Sequence, residues 1–296
     1  MLILRFDPRN GSKQINDIDN MYHGQTAILV GGAPSLREQP IHLLDKPGVL
    51  TMAMNNAALH FKPVLWCGCD NPACFAPEIL FNPRILKFAP LTQADMPVGN
   101  TKYKNMPSTL FFIQEPNVPW FSMLESRLYV PWYMNTLLSS ICILYNLGIR
   151  RIILAGSDFG GGPSKEAYGH PTELGSLEMK WNTELYNSLV KELRMLKPIF
   201  DANNLTLLDC SKYSRLTPVY KHISIEEAVN MCLTDYPSTP TDTKTLPHCS
   251  KFAPTHIVDA MARWPGHVAI NDDTFITKSI RDLSDKPQAG SAEVLV

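Results

Sequence analysis

The residues of this chain with chemistry to offer sit where apolar runs stop. Thr26 to Val30 is uncharged and rich in β-branched residues, and it runs directly into Gly31, Gly32, Ala33, Pro34 and Ser35. Two glycines free the backbone to turn and to approach a guest closely. Exposed amides at a helix start favour an anion, so a phosphate or carboxylate is the ligand expected there. Ser35 reads as the cap of a helix beginning near Leu36. The spacing is neither G-x-G-x-x-G nor G-x-x-x-x-G-K-[ST] and specifies no particular cofactor. Asn55-Asn56 ends a second apolar run, Asp70-Asn71 a third, Gly156-Ser157-Asp158 a fourth and Asp209-Cys210-Ser211 a fifth. Amides, hydroxyls and carboxylates at strand ends lie where open α/β sheets place ligands, although turns favour Asn, Asp and Gly for their own reasons. The loop Gly160-Gly161-Gly162 leads on to Tyr168-Gly169-His170-Pro171. His170, in a glycine-rich loop beside that rim, suits proton transfer or phosphate contact.

The elements that must position these groups follow from periodicity. Strands are expected at Thr26 to Val30, Val49 to Met54, Pro63 to Asp70, Arg84 to Phe88, Thr109 to Ile113, Arg151 to Ala155 and Leu205 to Ser211. Fully apolar strands of this kind belong to parallel sheets covered on both faces. One short helix is expected from Leu36 to Asp45, with Pro40 in its first turn or ending it. Asn135 to Leu147 has helical spacing with Gly148 at the position after its end. A longer helix lies within Leu174 to Ala202, interrupted at Pro198, and Ser224-Ile225-Glu226-Glu227 is a capping box opening a helix to Leu233. The fold class is therefore α/β, a mostly parallel sheet with helices on both faces. Residues 1–23 form a lead-in, an edge strand or a lid; 24–234 carry the main domain; 235–296 are a Thr-, Pro- and Ser-rich linker and a C-terminal appendage.

With 296 residues and 45% apolar content, the chain can fill one large core. A net charge of −1 provides no global footprint for nucleic acid, so no dedicated nucleic-acid surface is expected. No apolar run reaches the ~18 residues of a membrane span and no signal-peptide pattern is present, so a cytoplasmic location is expected. Seven cysteines, an odd number, fit reduced thiols better than a disulfide framework. The spacing of Cys67, Cys69 and Cys74 is wrong for a zinc knuckle. Sequence does not specify an oligomeric state.

In their order and spacing, the Gly31-to-Leu36 turn, Met54-Asn55-Asn56, Asn135 through Asp158-Phe159, Gly169-His170 and Leu208-Asp209-Cys210-Ser211 make the chain resemble a known group. These are the DUF115 proteins, which include flagellin glycosylation factors and 6-hydroxymethylpterin pyrophosphokinases, and the related bacterial sialyltransferases of glycosyltransferase family 42. The likeness spans residues 24 to 233. It implies a Rossmann-like sheet with a nucleotide over it, the phosphate against Gly31 and Gly32, and contacts from Asn55 or Asn56 and the helix start at Asn135-Thr136. It also implies a transferase using a CMP-, UDP- or GDP-linked sugar, with His170 as general base toward the hydroxyl of a small-molecule, glycan or modified-base acceptor. The paired tyrosines that hold the leaving phosphate in the sialyltransferases are not evident, and Tyr168 is the near candidate. The pyrophosphokinase branch implies Mg²⁺-dependent diphosphate transfer from ATP, with Asp70 and Asp158 as metal ligands; a non-catalytic nucleotide-binding module is the third alternative.

Overall fold

A computed structural model of the chain describes residues 1–7, 13–115, 118–119, 122–126, 128–131, 135–163 and 176–236. The chain divides into two units, Met1–Ala253 and Pro254–Val296, and every described residue belongs to the first. Tyr168, His170 and the region read as linker and appendage beyond Tyr236 lie outside the described residues.

The strands are β1 (Leu2–Phe6), β2 (Lys13–Asp17), β3 (Thr26–Val30), β4 (Leu50–Met54), β5 (Leu65–Cys67), β6 (Leu86–Pro90), a small hairpin of β7 (Pro97–Val98) and β8 (Thr101–Lys102), β9 (Thr109–Phe112), a parallel pair of β10 (Gln114–Glu115) and β11 (Val130–Pro131), β12 (Arg151–Ala155) and β13 (Thr206–Asp209). Nine of them form the main sheet, in the order β13-β12-β3-β4-β5-β6-β9-β1-β2. From β13 to β9 every neighbouring pair is parallel; β1 joins β9 antiparallel and β2 joins β1 antiparallel. The architecture is thus α/β with a mostly parallel sheet, and the N-terminal segment supplies its edge. The helices are α1 (Pro77–Leu80), α2 (Thr136–Asn146), α3 (Ser176–Ala202) and α4 (Ile225–Asp235).

Alternation along the central strands explains why their sequences are apolar throughout. Leu29, Met52, Met54, Ile152 and Leu154 point into one core, shared with Leu138 and Ile141 of α2 and Leu193 and Phe200 of α3. Ile28, Val30, Ala53, Ile153 and Ala155 point into the other, with Leu36 and with Val229 and Cys232 of α4. Each fully buried Leu, Ile or Val contributes about 1.5–3 kcal/mol relative to exposure, so a charge at any of these positions would be costly.

Several local expectations change in the structure. The segment after β3 is two 3-10 turns, Pro34–Glu38 and Ile41–Asp45, and not one helix. Pro40 stands between them, where its ring and missing N–H forbid continuation. In contrast, Pro198 does not stop α3, because the buried Leu189, Leu193, Leu196 and Phe200 hold both sides of the helix to the sheet. The Ser224 capping box forms with both reciprocal bonds. The helix that it opens runs past Leu233 to Asp235, which makes an ion pair with Arg151 (2.9 Å) and accepts a hydrogen bond from Thr26. This tie fixes the end of α4 to the N-terminal ends of β12 and β3. Among the described residues no helix is long and apolar enough to cross a membrane.

Candidate functional site

Chain order reverses direction at β3: β4, β5 and β6 are laid down to one side of it, whereas β12 and β13 return to the other. In open α/β sheets, ligands bind outside the C-terminal ends of the strands at such a switch point. Here the two loops that leave β3 and β12 meet. The Gly31 amide donates to the Ala155 carbonyl (2.8 Å), and the Ala33 amide to the Gly156 carbonyl (3.0 Å). A Cβ on Gly31 would lie 2.5 Å from the Gly156 carbonyl oxygen, and one on Gly156 2.5 Å from Leu36 Cγ and 2.6 Å from the Gly31 oxygen. Gly156 also has φ +57°, which side chains rarely adopt. Glycine at 31 is thus required by the neighbouring loop, a reason different from the close phosphate approach expected of it.

Beneath this crossing lies a buried carboxylate. Asp158 Oδ1 accepts from the Ser35 hydroxyl (2.6 Å) and Oδ2 from the Ser35 amide (3.3 Å). Ser35 therefore does not cap a helix: it lies inside the turn Pro34–Glu38, and its hydroxyl ties the β3 loop to the β12 loop. Burial raises the Asp158 pKa above the ordinary carboxylate value, against the lowering effect of the Ser35 hydroxyl, the Ser35 amide and the Tyr213 amide. A third loop locks on from β13. The Ser157 amide donates to Ser211 Oγ (2.8 Å), and the Ser211 amide to the buried Asp209 Oδ1 (2.9 Å), whose pKa burial also raises. With the Gly31, Ala33, Ser35 and Leu36 amides engaged and Pro34 lacking one, Gly32 N–H is the turn donor with no acceptor among the described residues.

Next to this group, directly after β4, Asn55 has φ 51° and its Oδ1 lies 3.3 Å from the Thr136 hydroxyl at the start of α2. Asn135 caps that helix, its Oδ1 accepting from the Leu138 amide (2.8 Å). Asn56 is employed otherwise, since its side chain bridges the Cys74 carbonyl and the Ala76 amide. Asp70, at the end of β5, is exposed and its pKa is raised by partial desolvation. β5 and β12 are three strand intervals apart, roughly 14 Å at the usual spacing, so Asp70 and Asp158 follow strands that are not neighbours. The structure thus gathers Gly31, Gly32, Ala33, Pro34, Ser35, Ser157, Asp158 and Ser211 at the switch point, with Asn55, Asn135 and Thr136 beside them.

Residues to which the sequence assigned no role complete the rim. Phe159 holds φ 52°, an uncommon state for a bulky side chain that costs about 1–3 kcal/mol and marks functional sites more often than others. Its carbonyl accepts from Arg215 (3.1 Å), which also reaches Asn187 (2.8 Å). Tyr213 and Lys212 both hold Glu38 at the mouth of the turn. None has a local signature, because each is defined by a partner far away in sequence. A cleft of about 290 Å³ lies at the other end of the sheet, between Asp19, Tyr145, Arg150 and Asn203. Arg150 closes over the Tyr145 ring at 3.9 Å there, and none of the switch-point residues takes part.

The raised pKa of Asp158 has a measurable consequence. A carboxyl group whose pKa is higher folded than unfolded contributes stability below about pH 3.9, and this is lost as pH rises through the folded pKa. Asp158→Asn loses one acceptor oxygen at every pH but is spared that loss. Urea unfolding at pH 4 and pH 7 should therefore show the variant gaining on the wild type as pH rises. A stability difference that is the same at both pH values would mean that Asp158 is not desolvated.

No protein-family model, no curated protein and no solved structure matches the chain.

Proposed function

We propose that the chain is a nucleotide-sugar-dependent glycosyltransferase, with a Rossmann-like domain that holds the nucleotide across the C-terminal ends of β3 and β12. The observation that carries this reading is the meeting of two glycine loops at the switch point, with Gly32 N–H left over as a donor and Asp158 and Ser35 fixing the loop that presents it. The donor phosphate sits against Gly32, and the Asn55–Thr136 edge meets the rest of the nucleotide. His170, from the loop after Asp158, takes the acceptor proton. The acceptor oxygen forms a bond to the anomeric carbon as the carbon–oxygen bond to phosphate breaks, and the nucleotide leaves with that electron pair. Diphosphate transfer through one Mg²⁺ shared by Asp70 and Asp158 is disfavoured by the separation of β5 and β12.

The test is a thermal-shift panel of CMP-, UDP- and GDP-sugars and ATP, with mass spectrometry of any nucleotide that co-purifies. A donor at 100 times its Kd adds about 2.7 kcal/mol, or roughly 5–10 °C of melting temperature for a domain this size. Gly32→Val should melt at the unliganded temperature with or without that donor. A shift from ATP alone, abolished by EDTA, would favour diphosphate transfer; binding without turnover on any acceptor would leave a non-catalytic nucleotide module.

A further inference from the structure

At the mouth of the switch point, the loops that follow β3, β12 and β13 converge on two neighbouring side chains. Glu38, the last residue of the turn Pro34–Glu38, accepts on Oε2 from both Lys212 Nζ (2.6 Å) and the Tyr213 hydroxyl (2.9 Å). The ammonium also lies over the Tyr213 ring, 5.1 Å from its centre. Beside Glu38, Gln39 Nε2 donates to the Cys210 carbonyl (2.5 Å), so the turn after β3 is fastened at its end to the loop after β13. Tyr213 is packed from the third side as well. A Cβ on Gly161 would lie 2.1 Å from the Tyr213 carbonyl oxygen, and one on Gly162 3.2 Å from the Tyr213 ring and 3.7 Å from Asp158 Oδ2. These two glycines of the loop after β12 leave the space that Tyr213 fills.

The backbone of this junction is fixed, but its charged heads are free to exchange partners. Lys212 and Glu38 are 48% and 44% exposed, and an exposed ion pair is weak because water competes for both members. A carboxylate that collects an ammonium and a phenol hydroxyl stands where a small anion would be held. A phosphate group brings more charge and more acceptor oxygens to the same two donors, and so displaces it. Of the two cations in the loop after β13, Arg215 is committed to the Phe159 carbonyl (3.1 Å) and Asn187 (2.8 Å), which leaves Lys212 to change partners. Glu38 also stands close to the Gly32 donor. The five-residue 3-10 turn between them rises about 10 Å.

We propose that Lys212 and Tyr213 are phosphate ligands, and that Glu38 is a built-in competitor which holds both donors until a phosphate or diphosphate group displaces it. The placement of this pair in the nucleotide site rests on the reading that a phosphate lies at Gly32, and not on sugar transfer. Lys212 supplies charge, and Tyr213 supplies a hydroxyl whose direction is set by the packing of its ring and backbone against Gly161 and Gly162. A ligand with a single carboxylate gains nothing from the exchange, because it only replaces Glu38 with its equal. The competitor lowers affinity by the fraction of time for which it holds Lys212. For a weak exposed pair that factor is roughly two- to fivefold.

Calorimetric titration of the full-length protein with inorganic pyrophosphate at low salt tests this in the wild type, Glu38→Gln, Lys212→Met, Tyr213→Phe and the Glu38→Gln/Lys212→Met double variant. Glu38→Gln should bind roughly two- to fivefold more tightly than the wild type. Lys212→Met should bind roughly ten- to hundredfold more weakly, the range for one charge-assisted hydrogen bond, and Tyr213→Phe, which keeps the ring against Gly162, roughly tenfold more weakly. The double variant is decisive: once Lys212 is gone, removing Glu38 releases nothing, so its affinity should equal that of Lys212→Met. A Glu38→Gln gain that persists in the double variant is a general charge effect and overturns the proposal. Wild-type affinity in Lys212→Met, or no pyrophosphate binding even in Glu38→Gln, overturns it equally. Gly32→Val separates the proposal from the reading beneath it. Binding that still responds to Glu38 and Lys212 in that background supports the exchange while removing the phosphate contact at Gly32.

Discussion

His170→Ala is expected to lower kcat for sugar transfer by roughly 10²–10⁴-fold, the range for loss of a positioned general base. The acceptor hydroxyl must give up its proton as the new bond forms, and a neutral imidazole with a pKa near ~6.5 accepts it at neutral pH. Donor affinity should change little, since the proposed phosphate site is at Gly32 and not at His170. EDTA should matter less than the mutation. Under diphosphate transfer the order reverses: chelation abolishes activity and His170→Ala is mild. Initial rates across pH, with donor binding measured separately, distinguish the two. A His170→Ala enzyme that transfers sugar at the wild-type rate removes the base assignment.

Gly156→Val should be among the most destabilising single changes on the sheet rim, at about 3–5 kcal/mol. The new side chain meets a positive φ, which costs about 1–3 kcal/mol for a non-glycine residue, and its Cβ lands within overlap distance of Leu36 Cγ and the Gly31 oxygen. Backbone on one side cannot retreat as a flexible side chain would. Gly160→Ala is the control: it has φ +72°, but its Cβ would lie 3.7 Å from the Tyr186 ring, an ordinary contact. Denaturant unfolding should put that change near 1 kcal/mol. Equal costs at 156 and 160 would mean that the β3 and β12 loops do not press together as described.

What was legible in the sequence were the features governed by near neighbours. Thr26 to Val30 and Arg151 to Ala155 read as buried strands and form β3 and β12 with those bounds. Asn135, Gly148 and the Ser224 box marked the ends of helices through capping chemistry that spans a few residues. The glycine turn was visible as a turn, but its reason was not: Gly31 is needed because of Gly156, far along the chain, and no local rule announces that pairing. Ser35 looked like a cap because serine commonly is one, and only the approach of Asp158 redirects its hydroxyl. Pro198 breaks the local helix pattern, yet the packing of Leu196 and Phe200 overrides it. Likewise Asp235, in a stretch with linker composition, belongs to α4 through its tie to Arg151 and Thr26.

In the proposed enzyme a nucleotide phosphate lies over the crossing of the β3 and β12 loops. Diffraction from crystals grown with the donor that gives the largest thermal shift would locate it. A phosphate oxygen is expected within hydrogen-bonding distance of Gly32 N–H, with Asp158 still holding Ser35 beneath it and the remainder of the nucleotide along Asn55 and Thr136. A nucleotide bound instead in the cleft beside Tyr145 and Arg150, or over the ends of β5 and β6 with Gly32 uncontacted, would contradict it.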